Sequence, residues 1–371
     1  MSGEPPPVDR AQQALFELDE LPGFDTGAAA SHARRRSAGG PAGERVEPIE
    51  PDPGTSALAE ALGSELRLGT SSWHFPGWQG LVWAGRHASP ILSRHGLSAY
   101  AAHPLLRCVS LDRAFYRTLD VDTYVGLAAQ VPADFRFVVK APAALSDAVR
   151  RASGTGQALG PNPGFLDPDH AARAVMEPAL RGLGAKLGVL VLQLSALPAE
   201  WRDNRPRLHA ALARCLAALG EVPGRPAGSH VAVEVRDPSL LDAGFSDVLR
   251  EAGAVYVLGL HDRMPPAEVQ LAMLRAQWPA PLICRWNLRR GLRYDDARSR
   301  FAPFDRLQAP DETTRRVVAR VAAATAAAGH PVFVTINNKA EGSAPCSVRA
   351  LAEAIAAQKP SARLRRDPAA Q

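Results

Sequence analysis

Short, β-branched apolar runs alternate with longer helical stretches from about residue 66 onward. Runs such as Val189–Leu194 and Val332–Ile336 are almost continuously apolar, which is typical of strands that are buried on both faces of a sheet. The pattern predicts eight strands: Leu66–Thr70, Arg107–Leu111, Phe135–Lys140, Val189–Leu194, Val231–Val235, Ala254–Leu258, Leu282–Arg285 and Val332–Ile336.

A helical stretch follows each predicted strand. Asp311 and Ser347 begin two of these stretches, at the position where polar N-cap residues are preferred. The predicted helices are Ser89–Ala102, Val121–Gln130, Pro168–Arg181, Arg205–Leu219, Phe245–Ala252, Ala267–Trp278, Asp311–Ala328 and Ser347–Gln358.

This alternation of strand and helix predicts an α/β fold. Eight units match a closed TIM-type (β/α) barrel with some irregularity, since such barrels typically take about 250 residues and tolerate insertions. A doubly wound open sheet is the alternative. That fold often carries a glycine-rich phosphate turn after its first strand, and the segment Gly69–Ser72 lacks this fingerprint.

The remaining segments set the domain organisation. Residues 1–63 are rich in Pro, Gly, Ala and charge, and we expect a disordered tail that contains one apolar island at residues 11–22. Residues 64–360 are predicted to form the barrel, and residues 361–371 a disordered C-terminus. The Gly- and Pro-rich stretch Ala141–Leu166 is predicted to be a long loop over the site.

Composition narrows the functional classes. The absence of a long apolar run or a signal-peptide pattern predicts a cytoplasmic protein with no membrane partner. A net charge of +5 weakly favours an anionic small molecule or a nucleic acid as partner. The four cysteines lie far apart and are predicted to be buried thiols: Cys108, Cys215, Cys284 and Cys346. No spacing of residues favours a metal site, and no motif specifies a cofactor.

Polar residues are concentrated at the carboxyl ends of the predicted strands, where barrel enzymes place their working groups. Lys140, Arg236, Arg285 and Lys339 are expected to form a ring of cations at the mouth that holds a phosphate or carboxylate. Other polar residues at these ends include Thr70, Ser71, Ser72, Trp73, His74, Asp112, Arg113, Tyr116, Gln193, Glu234, His261, Asp262, Asn287, Asn337, Asn338 and Glu341.

Two interpretations apply to the charged residues of the fifth predicted strand. Period-two alternation places Ala232, Glu234 and Arg236 on one face. A pair of charges on an inner face is costly unless each is matched. Glu234 and Arg236 are therefore either an ion pair that stabilises the barrel or groups aimed at a ligand. In the second case Glu234 or Asp112 acts as the catalytic acid or base.

The segment Leu66–Trp73, followed by Pro76, Gly77 and Trp78, resembles the opening of the YecE-like family, domain of unknown function 72. Further ordered matches are Ala114–Arg117, Pro132–Lys140, Leu192–Leu194, Val233–Ser239 and Asn337–Pro345. The resemblance implies a TIM barrel whose reaction has no settled assignment. The residues that fall on the family's motif positions are Trp73, Tyr116, Lys140, Gln193, Glu234, Arg236 and Asn338.

The chain also departs from the family pattern. The family usually has Glu where Ser110 stands, Asn at Asp112, His at Asp237 and Trp at Leu240. Arg285-Trp286-Asn287 likewise differs from the usual Arg-aromatic-His sequence. These differences imply a divergent member, which is inactive if the usual Glu is essential or active if Asp112 has taken its role.

The island in the N-terminal tail has its own resemblance. Gln12, Leu15 and Phe16 match the Gln-x-x-Leu-Phe peptide by which bacterial DNA-metabolism proteins dock on the sliding clamp. An apolar island in a disordered context is typical of a docking segment, and a chance amphipathic island is the competing interpretation.

Three functions are therefore expected to compete. The first is an enzyme acting on a phosphate-containing substrate such as a nucleotide, nucleic acid or sugar phosphate, at the C-terminal mouth of the barrel. The second is a non-catalytic accessory module of DNA metabolism that docks on the sliding clamp. The third is a sugar enzyme whose ligand stacks on Trp73, Trp78 or Trp286, unless these rings simply cap the core.

Overall fold

A computed structural model describes residues 45–152 and 156–358. Eight parallel strands form a closed barrel in the order β1-β10-β9-β8-β7-β6-β3-β2, and β4 and β5 form a separate antiparallel pair. The strands are β1 Leu66–Thr70, β2 Cys108–Leu111, β3 Arg136–Lys140, β4 Val149–Arg151, β5 Ala158–Pro161, β6 Leu187–Leu194, β7 His230–Val235, β8 Val255–Leu260, β9 Leu282–Trp286 and β10 Val332–Ile336.

Helices follow the barrel strands. They are α1 Pro53–Leu62, α2 Ser89–Ala101, α3 Val121–Ala128, α4 Ala143–Ser146, α5 Glu177–Leu183, α6 Ala199–Arg202, α7 Arg205–Glu221, α8 Ala243–Glu251, α9 Ala267–Ala276, α10 Tyr294–Phe301, α11 Glu312–Ala327, α12 Asn338–Glu341 and α13 Ala344–Ala356. A π-helix, His170–Met176, leads directly into α5. The closed ring of parallel strands rules out the open doubly wound sheet and confirms the predicted barrel.

The inside of the barrel is built in layers, because alternate residues of each strand point inward. The lower layers are apolar and contain Cys108, Val138, Val189, Val191, Ala232, Val255, Val257, Ile283 and Phe333. Two residues further along the strands the inward positions become polar, as at Lys140, Glu234 and Arg285. The apolar layers therefore form a closed floor beneath a polar mouth.

Gly69 permits β1 and β2 to pair at this level. Gly69 lies opposite Cys108 in the register, and a Cβ atom at position 69 would meet the Cys108 carbonyl oxygen at 1.8 Å. Tyr100 reinforces the same junction, because its hydroxyl donates to the Cys108 carbonyl at 2.8 Å and accepts from the Thr70 backbone N–H at 3.0 Å. Ring closure depends on the small residue at position 69.

The expected disordered tail does not extend to residue 63. Residues 53–62 form α1, whose Asp52 cap accepts from the Thr55 N–H at 3.0 Å, and Ala59 and Leu62 are buried. Arg107 fixes the end of this helix by donating to the Gly63 and Ala59 carbonyls. The Pro- and Gly-rich composition concealed these apolar contacts. Residues 1–44 and 359–371, including the apolar island, lie outside the described residues.

The structure differs from the sequence-based predictions at two further places. The stretch 141–166 is not a simple loop, because it contains α4 and the β4–β5 pair. Cys346 is half-buried, whereas the other three cysteines are buried as predicted. Within residues 45–152 and 156–358 no helix has both the length and the apolar character needed to cross a membrane.

Candidate active site at the mouth of the barrel

Six of the side chains selected from the sequence meet at the carboxyl ends of five strands. Register aligns Gln193 with Glu234 between β6 and β7, and Gly259 with Arg285 between β8 and β9. The six side chains are those of Asp112, Lys140, Gln193, Glu234, Arg236 and Arg285, and we call them the mouth cluster.

Glu234 lies at the centre of the mouth cluster and its side chain is fully buried. Its Oε1 accepts from Arg236 Nη2 at 2.8 Å and from Asn287 Nδ2 at 3.2 Å, and its Oε2 accepts from Arg285 Nη1. Gly259 makes room for this carboxylate, because a Cβ atom there would meet Glu234 Cγ and Oε1 at 3.3 Å. Every oxygen of Glu234 is thus used within the protein.

The charges around Glu234 fix its ionisation. Burial alone would raise the pKa of this carboxyl group, but the positive charges of Arg236, Arg285 and Lys140 outweigh burial and lower the pKa to about 2. A buried carboxylate that stays ionised at neutral pH is a poor proton carrier. The geometry therefore favours the ion-pair interpretation of Glu234 over the catalytic one.

Arg285 connects the two carboxylates of the mouth cluster. Its Nη2 donates to Asp112 Oδ1 at 2.6 Å and its Nη1 donates to Glu234, while Gln193 Oε1 lies 3.3 Å from Nη1. Ser110 Oγ donates to the same Asp112 oxygen at 2.7 Å. Asp112 keeps a side-chain exposure of 19%, so it is the carboxylate that remains accessible at the mouth.

Arg236 occupies the outer edge of the mouth cluster. Its Nη2 donates to Gln193 Oε1 at 2.9 Å as well as to Glu234. Among the described residues, Nη1 of Arg236 and Nε of Arg285 are buried and have no hydrogen-bond partner. Two guanidinium nitrogen atoms of the mouth cluster therefore have no acceptor among the described residues.

Lys140 is the cation of the mouth cluster that has no charged partner in the described part of the chain. It is 6% exposed, and its Nζ lies 3.7 Å from the centroid of the Phe115 ring. Within residues 45–152 and 156–358 this Nζ has no carboxylate within 4.0 Å and makes no hydrogen bond. Burial, helped by the positive charges of Arg285 and Arg236, lowers the pKa of Lys140 to about 7, although Asp112 and Glu234 act in the opposite direction.

A cavity of about 350 Å³ adjoins the mouth cluster at the ends of β1, β2 and β10. Asp112 belongs to the mouth cluster and also lines the cavity, as does Ser110, whose hydroxyl donates to Asp112. Its other lining residues are mostly aromatic, cationic or small: Ser71, Ser72, Trp73, His74, Phe75, Pro76, Gly77, Ser89, Leu111, Arg113, Tyr294, Arg298, Ala302, Pro303, Phe304, Asn337 and Lys339. The cavity can thus hold a partly apolar group beside the charged one.

Cations of this cavity pack against its aromatic rings. The Arg113 guanidinium lies 5.1 Å from the centroid of the Trp73 ring, and Lys339 Nζ lies 4.2 Å from that of Tyr294. Lys339 was expected at the rim, but it is only 2% exposed. Burial, with a contribution from Arg113, lowers the pKa of His74 to about 4, so this ring is neutral at physiological pH.

Asn338 and two of the tryptophans serve the core instead, whereas Tyr116 is half-buried. Asn338 Oδ1 accepts from Trp78 Nε1 at 3.1 Å and from the Ala344 N–H at 2.8 Å, so this side chain anchors α13 rather than facing the opening. Trp78 and Trp286 are at most 1% exposed, which makes them core rings and removes them as sugar-stacking surfaces. Tyr116 packs edge-on against Phe115, the ring that contacts Lys140.

Sequence reasoning missed the far wall of the cavity. Tyr294 and Phe304 belong to α10 and the turn after it, whose sequence is dominated by Asp and Arg and gave no apolar period. Asn287 is one of the polar residues predicted at the strand ends, and it donates to Glu234. Nothing in the sequence pattern distinguished it from the other polar residues there. Among the described residues no group of three or more His, Cys, Asp or Glu side chains is arranged to hold a metal ion.

A family model described as "Protein of unknown function DUF72" matches residues 67–371. The chain belongs to the DUF72 family. A DUF72 protein of Enterococcus faecalis is 18% identical, with a TM-score of 0.52, over 78% of this chain and 95% of that one. A DUF72 protein of Thermotoga maritima is also 18% identical, with a TM-score of 0.50, over 78% and 98%. None of the curated proteins matches.

The two solved structures support the barrel fold, and their low identity carries no argument about chemistry. The family description assigns no reaction either. The mouth cluster and the adjoining cavity are therefore the features that bear on the function of this DUF72 protein.

We expect Glu234→Gln to lower the free energy of unfolding by about 3 kcal/mol, because it leaves buried guanidinium groups without their carboxylate. Urea unfolding of wild type and variant measures this loss. Glu353→Gln is the matched control, since it removes the same charge from an exposed pair with Arg349 and should cost less than about 1 kcal/mol. A Glu234→Gln protein as stable as wild type would contradict the ion-pair role.

We expect Lys140→Met to be more stable than wild type at pH 6, because the wild type must bury a charged amine there. The folded-state pKa of about 7 lies below the ordinary value of 10.5, so the unfolded wild type binds more protons between these values and its stability rises with pH. One pKa unit corresponds to about 1.4 kcal/mol, so the advantage of the variant should shrink by a few kcal/mol between pH 6 and 10.

Denaturant unfolding at pH 6, 8 and 10 measures this change. Lys186→Met is the control for loss of a lysine, because Lys186 donates to the Ala128 and Val131 carbonyls and its removal should destabilise the protein. A Lys140→Met protein that is less stable than wild type at pH 6 would contradict the prediction.

Proposed function

We propose that this DUF72 protein is an enzyme that acts on a phosphate-containing substrate at the mouth of its barrel. The observation that carries the proposal is the buried Lys140, which has no ion-pair or hydrogen-bond partner among residues 45–152 and 156–358 and is close enough to Arg236 and Arg285 to feel their charges. A nucleotide, a nucleic-acid end or a sugar phosphate would satisfy this chemistry.

The charge balance of the mouth cluster supports an anionic ligand. Asp112 and Glu234 provide two negative charges against three positive ones from Lys140, Arg236 and Arg285, so one positive charge is left when Lys140 is protonated. An incoming anion would stabilise that charge and take up the free N–H groups of the guanidinium pair.

Lys140 and Asp112 are the proton carriers in this proposal. An amine with a pKa of about 7 exchanges protons near neutral pH, which suits a general acid or base. Asp112 is the accessible carboxylate, whereas Glu234 is fully buried and serves to hold the two arginines in position. In this proposal Glu234 positions the two arginines and Asp112 moves protons.

The adjoining cavity provides room for the rest of the substrate. Its aromatic rings and its shared border at Asp112 suit a ligand in which a flat or apolar group is joined to a phosphate. Trp73, whose Nε1 donates to the Leu92 carbonyl at 3.2 Å, is held rigidly in that wall.

We expect the affinity for a tetrahedral dianion to fall by about tenfold or more between pH 6 and pH 9. Lys140 loses its charge in this interval, and Asp112, Glu234, Arg236 and Arg285 are the charged groups that face it. Inorganic sulfate is the probe, because it keeps both charges over this range, and calorimetric titration measures its binding. Competition by inorganic phosphate at pH 8 identifies a shared site.

Lys140→Met should bind sulfate weakly at every pH. Arg250→Gln is the charge-matched control, because Arg250 is an exposed residue paired with Asp247 on α8 and should bind like wild type. Binding that does not depend on pH, or wild-type affinity in Lys140→Met, would overturn the proposed anion site.

A second candidate function concerns the N-terminal island. We propose that Gln12, Leu15 and Phe16 dock this protein on the DNA sliding clamp, an idea supported by the sequence Gln-x-x-Leu-Phe in a Pro- and Gly-rich setting. These residues lie outside the described part of the chain, so the proposal stands on sequence alone.

A pull-down with purified sliding clamp tests the docking proposal. We expect wild type to be retained and the double variant Leu15→Ala/Phe16→Ala to be lost, because an apolar anchor in a groove contributes most of the binding free energy. Arg10→Ala, just outside the motif, is the control. Equal recovery of wild type and double variant would end this proposal.

A further inference from the structure

The surroundings of Lys140 are those expected of a lysine that attacks a substrate. Its Nζ lies over the Phe115 ring and has no hydrogen-bond partner or carboxylate within 4.0 Å among the described residues. The other charged groups of the mouth cluster all have partners within the protein. The amine is therefore the one group of the cluster whose lone pair, once deprotonated, has no competing use.

Nucleophilic attack requires the neutral amine. The burial of Lys140 and the nearby guanidinium groups favour that form, and with a pKa of about 7 roughly half of the amine is neutral at pH 7. An ordinary lysine, with a pKa near 10.4, is neutral in only about 0.04% of molecules at the same pH. The position of Lys140 and its lowered pKa therefore both favour nucleophilic attack.

Asp112 is positioned to move protons for such an attack. Its Oδ1 accepts from Ser110 and Arg285, and no described residue hydrogen-bonds to its Oδ2. The carboxylate is close enough to affect the charge of Lys140, yet the two groups form no ion pair within 4.0 Å. The amine and the carboxylate are therefore neighbours that are not bonded to each other.

We infer that Lys140 forms an imine with a carbonyl carbon of the substrate, with Asp112 as its proton carrier. This inference rests on the proposed function, which it narrows to substrates that contain both a phosphate and an aldehyde or ketone. The phosphate is held by Arg236 and Arg285, and the remainder of the molecule lies in the cavity beyond Asp112.

The reaction balances without a further reactant. The Nζ lone pair forms a bond to the carbonyl carbon, and the C=O π electrons move to oxygen. Asp112 takes one of the two N–H protons and passes it to that oxygen, which gives a carbinolamine. A proton then reaches the hydroxyl group, the C–O bond breaks, and the nitrogen lone pair forms C=N. The second N–H proton passes to Asp112 and replaces the proton that was used. The products are the neutral imine and one water molecule.

Pyridoxal 5′-phosphate is a suitable probe, because it joins an aldehyde, an aromatic ring and a phosphate in one small molecule. The chain contains four lysines, Lys140, Lys186, Lys339 and Lys359, so the labelled amine can be identified directly. The full-length protein is treated with the probe at pH 7, reduced with borohydride and mapped by mass spectrometry. Pyridoxal, which lacks the phosphate, is the matched control compound.

We expect a single adduct on Lys140 that forms at least tenfold faster than any adduct on Lys186 or Lys339. Lys140→Met should lose it, and Asp112→Asn should slow its formation while sulfate binding persists. Labelling spread evenly over the lysines would overturn the inference. Slow labelling of Lys140 in a protein that binds sulfate would also overturn it, and would leave the phosphate site standing.

The two proposals can fail separately. Rapid labelling of Lys140 by pyridoxal and pyridoxal 5′-phosphate alike, with no protection by inorganic phosphate, would support the imine and contradict the phosphate-binding role. Protection of Lys140 by inorganic phosphate together with faster reaction of the phosphorylated probe would support both.

Discussion

A guanidinium group buried between two carboxylates organises the upper half of this barrel. Arg285 bonds to Glu234 on β7 and to Asp112 after β2, and so connects strands from distant parts of the ring. Burying such charges is costly unless each is matched. The mouth meets this condition for Glu234 and Arg285, whereas Lys140 has no such partner among the residues that the structure describes. The paired charges hold their strands in position around this amine, which is the group that we propose reacts with substrate.

The strands were the elements that the sequence predicted best. Strands such as β1 and β10 appear at the predicted residues, because continuous apolar runs between polar segments leave few alternatives. The same alternation placed Glu234 and Arg236 on one inward face, where they form an ion pair. The alternation along a strand decides which polar residues at its end point inward. Once the strands were predicted correctly, these site residues followed from them.

Features that depend on tertiary contacts escaped the sequence. The helix α1 is stabilised by its Asp52 cap and by Arg107 from a later segment, neither of which composition can indicate. Asn338 falls on a motif position, yet its amide oxygen accepts a hydrogen bond from Trp78, far away in the sequence. Whether a polar group at a strand end faces the opening or the core depends on its neighbours in space. The pattern of residues along the sequence does not show those neighbours.

Ring closure has one more effect, which concerns how this scaffold can change. Because β3 pairs directly with β6, the whole segment 141–186 departs from the ring and returns to the adjacent position. The pairing of β3 with β6 holds the two ends of this segment side by side, so its length does not decide which strands are neighbours. The segment begins immediately after Lys140, and a change in its length would therefore alter the surroundings of the mouth cluster while the order of the eight strands stays the same.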